Sequence, residues 1–174
     1  MGTDTSLDAS VLINFLKIKR IDLLKSCNHS FHITDHVEKE IREHYPQQKE
    51  LLEFGFEQRV FQRTNTTTLE ELATFAQLHK ERLLGAGECA AIAIAHHRQY
   101  CLAIDDKQAI KKAAHLIPLQ SILRTENLLL EMIQNQILSK EDAFLLLEIW
   151  AKEHRFKLNP ACLLENRFLD LQNR

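Results

Sequence analysis

The chain has 174 residues, 45% of them hydrophobic and 26% charged, with a formal net charge of −2. That length suits one domain with a substantial core, and the composition excludes disordered, collagen-like and disulfide-scaffold classes. The slight negative balance excludes a protein that simply coats nucleic acid with positive charge, while leaving room for a local basic rim or a cation-assisted site.

In chain order, a short strand is predicted near Thr3–Leu7 and a helix from Ala9 to about Lys17. A second helix follows at about Ile21–Ser26, then a strand at Phe31–Thr34. Asp35 is expected to cap a helix reaching about His44, which Pro46 ends. Arg59–Arg63 reads as a strand. The turn Thr64–Thr68 is expected to cap a helix over Leu69–Leu84, with Glu70 and Glu71 in its first turn. Gly85 and Gly87 interrupt the chain before a small-residue helix, Glu88–His97, whose Ala90, Ala91, Ala93 and Ala95 permit close packing on a sheet. Tyr100–Ile104 is a buried-type strand, Lys107–Ala114 a helix and Ile117–Leu119 a last short strand. Helices at about Ser121–Gln136 and Lys140–His154 complete the chain, Ser139 with Asp142 fitting a cap for the second. Short apolar strands alternating with helices imply a parallel sheet covered on both faces, a three-layer α/β/α domain.

Cys27, Cys89, Cys101 and Cys162 show no paired spacing, so a zinc ribbon, a redox pair and a disulfide framework are all unsupported. No apolar run approaches the ~20 residues of a spanning helix, and the N-terminus lacks a signal-peptide pattern. A soluble, cytoplasmic protein with no membrane partner is expected.

Four acids, Asp8, Glu40, Glu88 and Asp105, sit where a strand or loop meets a helical run. In an open parallel sheet, ligands bind at the carboxyl ends of the strands. Asp8 and Asp105 follow strands directly, Glu88 follows a Gly-x-Gly turn, and Glu40 lies one to two turns beyond a strand with its side chain leaning back toward it. Singly, each has a plain structural role. Asp8 suits an N-cap, Glu88 complements a helix dipole, Asp105 and Asp106 suit a turn with Asp106 capping the next helix, and Glu40 joins a solvated face. Converged, they cannot all stay ionised without a divalent cation, and a caged cation beside water is a hydrolytic site. His36, Glu40 and His44 share a helix face at successive i, i+4 positions, but HExxH is absent and they read as structural or surface residues.

The motifs resemble those of the PIN-domain nucleases. Leu7-Asp8-Ala9-Ser10-Val11-Leu12-Ile13 is similar to that family's opening strand–Asp–helix motif, and Ile33-Thr34-Asp35-His36-Val37-Glu38-Lys39-Glu40-Ile41 to the segment carrying its second acid. Leu84-Gly85-Ala86-Gly87-Glu88-Cys89-Ala90-Ala91-Ile92 resembles its third motif and Ala103-Ile104-Asp105-Asp106-Lys107 its fourth. The resemblance is greatest to the subgroup related to VapC-type toxins. It implies one PIN-like domain over 1–174, with a core at about 1–120 and a helical C-terminal extension at about 121–174. It also implies Mg²⁺- or Mn²⁺-dependent hydrolysis of RNA, homodimerisation and a small antitoxin partner.

On that reading Asp8, Glu40, Glu88 and Asp105 are the catalytic metal ligands, with Asp106 beside them and Ser10 hydrogen-bonding Asp8. Lys107, Arg98, Lys111 and Lys112 are candidate phosphate contacts. Apolar residues Leu128, Leu129, Met132 and Ile133, and Phe144, Leu145, Leu147 and Ile149, line the last two helices; most of that surface is expected in the core, with any remaining stripe available to a partner. The rival reading is a PIN-like module that binds RNA or protein without cutting. An Asp-x-Asp phosphatase is disfavoured because position 10 is Ser.

Overall fold

The computed structural model describes residues 2–159 and Leu163; Cys162 and residues 164–174 of the expected extension lie outside the described residues. Five strands, β1 (Thr3–Leu7), β2 (His29–Thr34), β3 (Phe61–Thr64), β4 (Cys101–Ala103) and β5 (Ile122–Leu123), form one sheet in the order β3-β2-β1-β4-β5. Every neighbouring pair is parallel. Among the described residues, the helices with defined bounds are α1 (Ala9–Lys17), α2 (Ile21–Ser26), α3 (Asp35–His44), α4 (Lys49–Glu57), α5 (Leu69–Lys80), α6 (Ala86–Arg98), α7 (Lys107–Ala113), α8 (Thr125–Gln134) and α9 (Lys140–Glu153).

Neighbouring residues on the strands face opposite sides, and both sides are covered. Ala103 joins a core built with Leu7, Phe31, Ile33 and the buried residues of α1, α2, α3, α8 and α9. Leu102, one residue earlier, joins a second core made by α5, α6 and α7. The alanine run of α6 is wholly buried, as close packing on a sheet requires. These are the three layers expected of the chain.

Several local expectations are corrected. The last strand is not Ile117–Leu119 but Ile122–Leu123, paired with β4 through Leu102↔Ile122 and Ala103↔Leu123. Leu119 is exposed in a short 3₁₀ turn after Pro118, so its apolarity does not mark a strand, and α8 starts at Thr125 rather than Ser121. Pro46 ends α3 but also opens a 3₁₀ turn that runs into α4, which burial of Leu52 stabilises; the fixed φ of proline suits a first helical position. Arg59 takes a left-handed φ of 55° where the chain leaves α4, which delays β3 to Phe61. Thr34 rather than Asp35 caps α3, its hydroxyl accepting from the Val37 N–H. Helix α5 stops at Lys80, short of Leu84, whereas Thr68 and Glu71 form the expected reciprocal cap at its start.

The described segments beyond residue 120 contribute to the sheet and to the first core. Strand β5 joins the sheet, and Leu128, Leu129, Met132, Ala143, Leu146, Leu147 and Trp150 are buried in the first core. Among the described residues, no helix is long and apolar enough to cross a membrane. Cys27, Cys89 and Cys101 are free thiols.

Candidate active site

The chain leaves β1 toward β2 and β3 on one side and later crosses to β4 and β5 on the other, so β1 and β4 flank the point where the strand order reverses. In open parallel sheets, ligands bind at such a point, at the carboxyl ends of the strands. Asp8 stands at the end of β1, 1% exposed, with its N–H donating to Ala103 O at 2.9 Å. Its Oδ2 caps α1, accepting from the Ser10 N–H at 2.9 Å and the Ser10 hydroxyl at 2.6 Å. Its Oδ1 is buried with no hydrogen-bond partner. An ionised oxygen hidden from water and left unpaired is costly, and a cation is the natural way to offset that cost. Ser10 also accepts from the Asp105 N–H at 2.9 Å, so one hydroxyl ties the two strand ends together.

Asp105 is held by three residues. Its Oδ1 accepts from Thr125 N at 3.0 Å, and its Oδ2 from Thr125 Oγ1 at 2.6 Å and Asn14 Nδ2 at 3.0 Å. Arg124 Nε lies 3.8 Å from Oδ1. Asn14 bonds Thr125 Oγ1 as well, and its carbonyl accepts from the Trp150 indole at 2.8 Å. Asn14, Thr125 and Arg124 had not been picked out of the sequence. A signal for Asn14 existed: it is the one polar residue inside the run Val11–Leu16, and it is buried.

Glu40 and Glu88 line an open cleft of about 400 Å³ between α3 and the start of α6, together with His36, Lys39, Glu43 and His44. Glu88 sits in the first turn of α6 and accepts from the Gly85 N–H at 2.8 Å, so its capping role and its place in the cleft coexist. Gly87 permits the approach of the two helices. A Cβ there would fall 2.8 Å from Glu40 Oε2 and 3.2 Å from Val37 Cγ2.

The charges register one another. Burial, then the charges of Asp8, Asp106 and Glu40, push the Glu88 carboxyl up to about 7 against its cap bond to Gly85. Burial and Asp8 raise Glu40. Burial raises Asp8 with a small push from Asp105, and burial raises Asp105 despite its Thr125, Arg124 and Asn14 partners. Carboxyls whose burial, and in part whose mutual charge, disfavours ionisation are the arrangement a hard divalent cation relieves.

The donor set fits such an ion: oxygen only, with one orphaned carboxylate atom. Among the described residues, no group of three His, Cys, Asp or Glu side chains forms a ready-made cage.

The remaining candidates divide. Asp106 is near enough to raise Glu88, but its Oδ1 caps α7 through the Gln108 and Ala109 N–H groups, both at 2.8 Å. Lys107 and Lys111 are exposed on α7, whereas Lys112 is ion-paired with Glu81. Arg98 is not available to a phosphate. At the far end of α6 it donates to buried Glu71 at 2.7 Å, to Thr64 Oγ1 at 2.8 Å and to Asn65 O at 2.8 Å, and it pulls the Glu71 carboxyl down to about 2. Its partners are internal, so its charge serves packing. His44 Nδ1 donates to Glu40 O at 3.2 Å, a backbone contact rather than a zinc arrangement. Asp4 pairs with His32 at 2.8 Å and lies within β1, away from the strand end.

A parallel sheet covered on both faces, with acids at its switch point, defines a class of open α/β domain. The model of a PIN-domain family matches residues 6–163, and the chain belongs to that family. PIN domains are generally nucleases that act on nucleic acid and typically use divalent metal ions. The crystal structure of PAE2754 from Pyrobaculum aerophilum is similar in fold, with a TM-score of 0.53 at 15% identity, covering 77% of this chain and 99% of that one. No curated protein matches the chain.

Proposed function

We propose that the protein is a Mg²⁺- or Mn²⁺-dependent ribonuclease whose site is built by Asp8, Glu40, Glu88 and Asp105. The observation that carries this reading is the orphaned Asp8 Oδ1, buried at the switch point and coupled electrostatically to Glu40 and Glu88. Asp8, Glu40 and Glu88 would hold the cation, which when bound supplies Lewis acidity toward water and phosphate oxygens. Asp105, whose oxygens already accept three hydrogen bonds, keeps Ser10 and therefore Asp8 in place through its N–H, and completes the negative field. Asp106 sets the start of α7, which presents Lys107 and Lys111 to solvent, where they can meet a phosphate backbone.

The test is cleavage of labelled single-stranded and structured RNA with Mg²⁺, Mn²⁺ or chelator, in the wild type and in Asp8→Asn. Cleavage that ignores both the chelator and the substitution defeats the reading. A second reading, an RNA- or protein-binding PIN module without cleavage, is favoured by the lack of a ready-made ligand cage among the described residues. Calorimetry with Mn²⁺ separates the two, since the binding module takes up RNA or protein with no heat of metal binding.

The finer reading, a cytoplasmic VapC-type toxin that dimerises and is silenced by a small antitoxin, is supported by the order of the four motifs. A monomer mass in light scattering at micromolar concentrations counts against the dimer.

A further inference from the structure

Helices α3 and α5 carry a column of stacked rings at the edge of the acidic cleft. The His36 and Phe75 rings lie 5.0 Å apart at 18°, and the Phe75 and His79 rings 5.6 Å apart at 16°. Phe75 packs on the second core and is partly buried, whereas His79 is exposed. His36 lines the cleft and stands one turn from Glu40 on the same face of α3, so the column starts about 6 Å along the helix from that carboxylate. Three near-parallel rings on two helices are more than core packing needs, because the column runs outward from Phe75 to an exposed imidazole. Lys80, exposed beside His79, adds positive charge where a nucleic-acid backbone would pass.

We propose that the His36–Phe75–His79 column is a stacking platform for an unpaired base of single-stranded RNA, delivering the adjoining phosphate to the acidic cleft. The proposal rests on the ribonuclease reading for its substrate class. Its physical basis is that every base has a π-face that stacks on aromatic side chains, so such a platform selects for unpaired strand rather than for sequence. Duplex RNA keeps its bases stacked on one another and offers none to the rings.

The experiment uses the full chain. Anisotropy of a fluorescent ten-nucleotide single-stranded RNA is measured with Mg²⁺ on Asp8→Asn, alone and combined with His79→Ala or Phe75→Leu, and KM and kcat are measured for the same two changes in the wild-type background. Each change is expected to weaken binding about tenfold and raise KM with kcat held. One abasic position along the oligonucleotide should cost the parent protein a similar factor and cost the His79→Ala protein nothing further. Thermal melts separate folding from binding, since His79 is exposed and leucine preserves the packing of Phe75.

Unchanged affinity and KM in both variants overturn the platform, whatever happens to Tm, and so does equal binding of duplex and single strand. Normal divalent-dependent cleavage with binding indifferent to His79 rejects the platform and leaves the nuclease intact. His79-dependent binding with no cleavage under any divalent ion rejects the nuclease and leaves the platform.

Discussion

Asp8 serves two tasks with two oxygens. Oδ2 caps α1, and Oδ1 has nothing to bond. Asp8→Asn should therefore abolish Mn²⁺ uptake and reduce cleavage by at least about 100-fold, while leaving metal-free stability undiminished, because it removes a buried charge. Isothermal titration and chelator-treated melts measure the two halves of that expectation. Glu88 gives a pH dependence with a definite sign. Its carboxyl titrates near 7 in the fold against 4.5 ordinarily, so between those values the folded protein holds a proton that the unfolded chain has lost. Metal-free stability must fall as pH rises from about 4.5 through 7 and then level off, with Asp8, Glu40 and Asp105 shifting it the same way. Glu88→Gln can still accept from the Gly85 N–H, so in chelator at pH 8 it should melt higher than the wild type and converge with it below pH 4.5. Mn²⁺ should raise the wild-type Tm at pH 8 and not that of the variant. Superimposable pH curves for the two proteins would refute the coupling.

Among the elements, the contact between α3 and α6 is the most exacting, because Gly87 has Glu40 against it. Gly87→Ala gains up to about 1 kcal/mol of helix propensity and loses about 1–3 kcal/mol to crowding. The clashing atom is the end of a flexible side chain, so Glu40 swings away and relieves most of the crowding. The expected result is a Tm close to wild type with cleavage reduced about 100-fold, the known scale for a displacement of about 1 Å at a reacting centre. An active Gly87→Ala protein would show that the position of Glu40 is immaterial. Helix α4 and the shift of β5 are the elements the sequence reading missed or misplaced. Both lie beside prolines: the sequence alone reads Pro46 only as the end of α3 although it also opens a turn, and reads a strand through Pro118 although a 3₁₀ turn follows that residue.

At the scale of the molecule, helix α9 reaches the site through the core. Trp150 of α9 is fully buried, packs edge-on against Phe15 at 5.7 Å and bonds the carbonyl of Asn14, whose amide holds Asp105. We propose that the chain acts as one folding unit rather than a core with a dispensable tail. Trp150→Ala should cost about 3–5 kcal/mol in denaturant melts and lower cleavage beyond the unfolded fraction, because Asn14 loses its anchor. A variant destabilised this much but fully active per folded molecule would uncouple the helix from the site.

The acids, the strand-to-helix junctions that bear them and the parallel α/β architecture were legible in the sequence, since caps, glycine turns and hydrophobic period are local properties of the chain. The second hydroxyl bond of Ser10, the clamp of Asn14 and Thr125 on Asp105, the capture of Arg98 by Glu71 and the ring column across α3 and α5 were not. Each joins residues far apart in the chain, and local pattern carries no record of which distant side chain arrives first. The sequence determined which groups would be charged and where the chain would turn. The tertiary structure decided which of those charges found partners, because burial and cross-strand register, rather than residue type, fix whether a carboxylate or guanidinium is satisfied within the fold or left for a ligand.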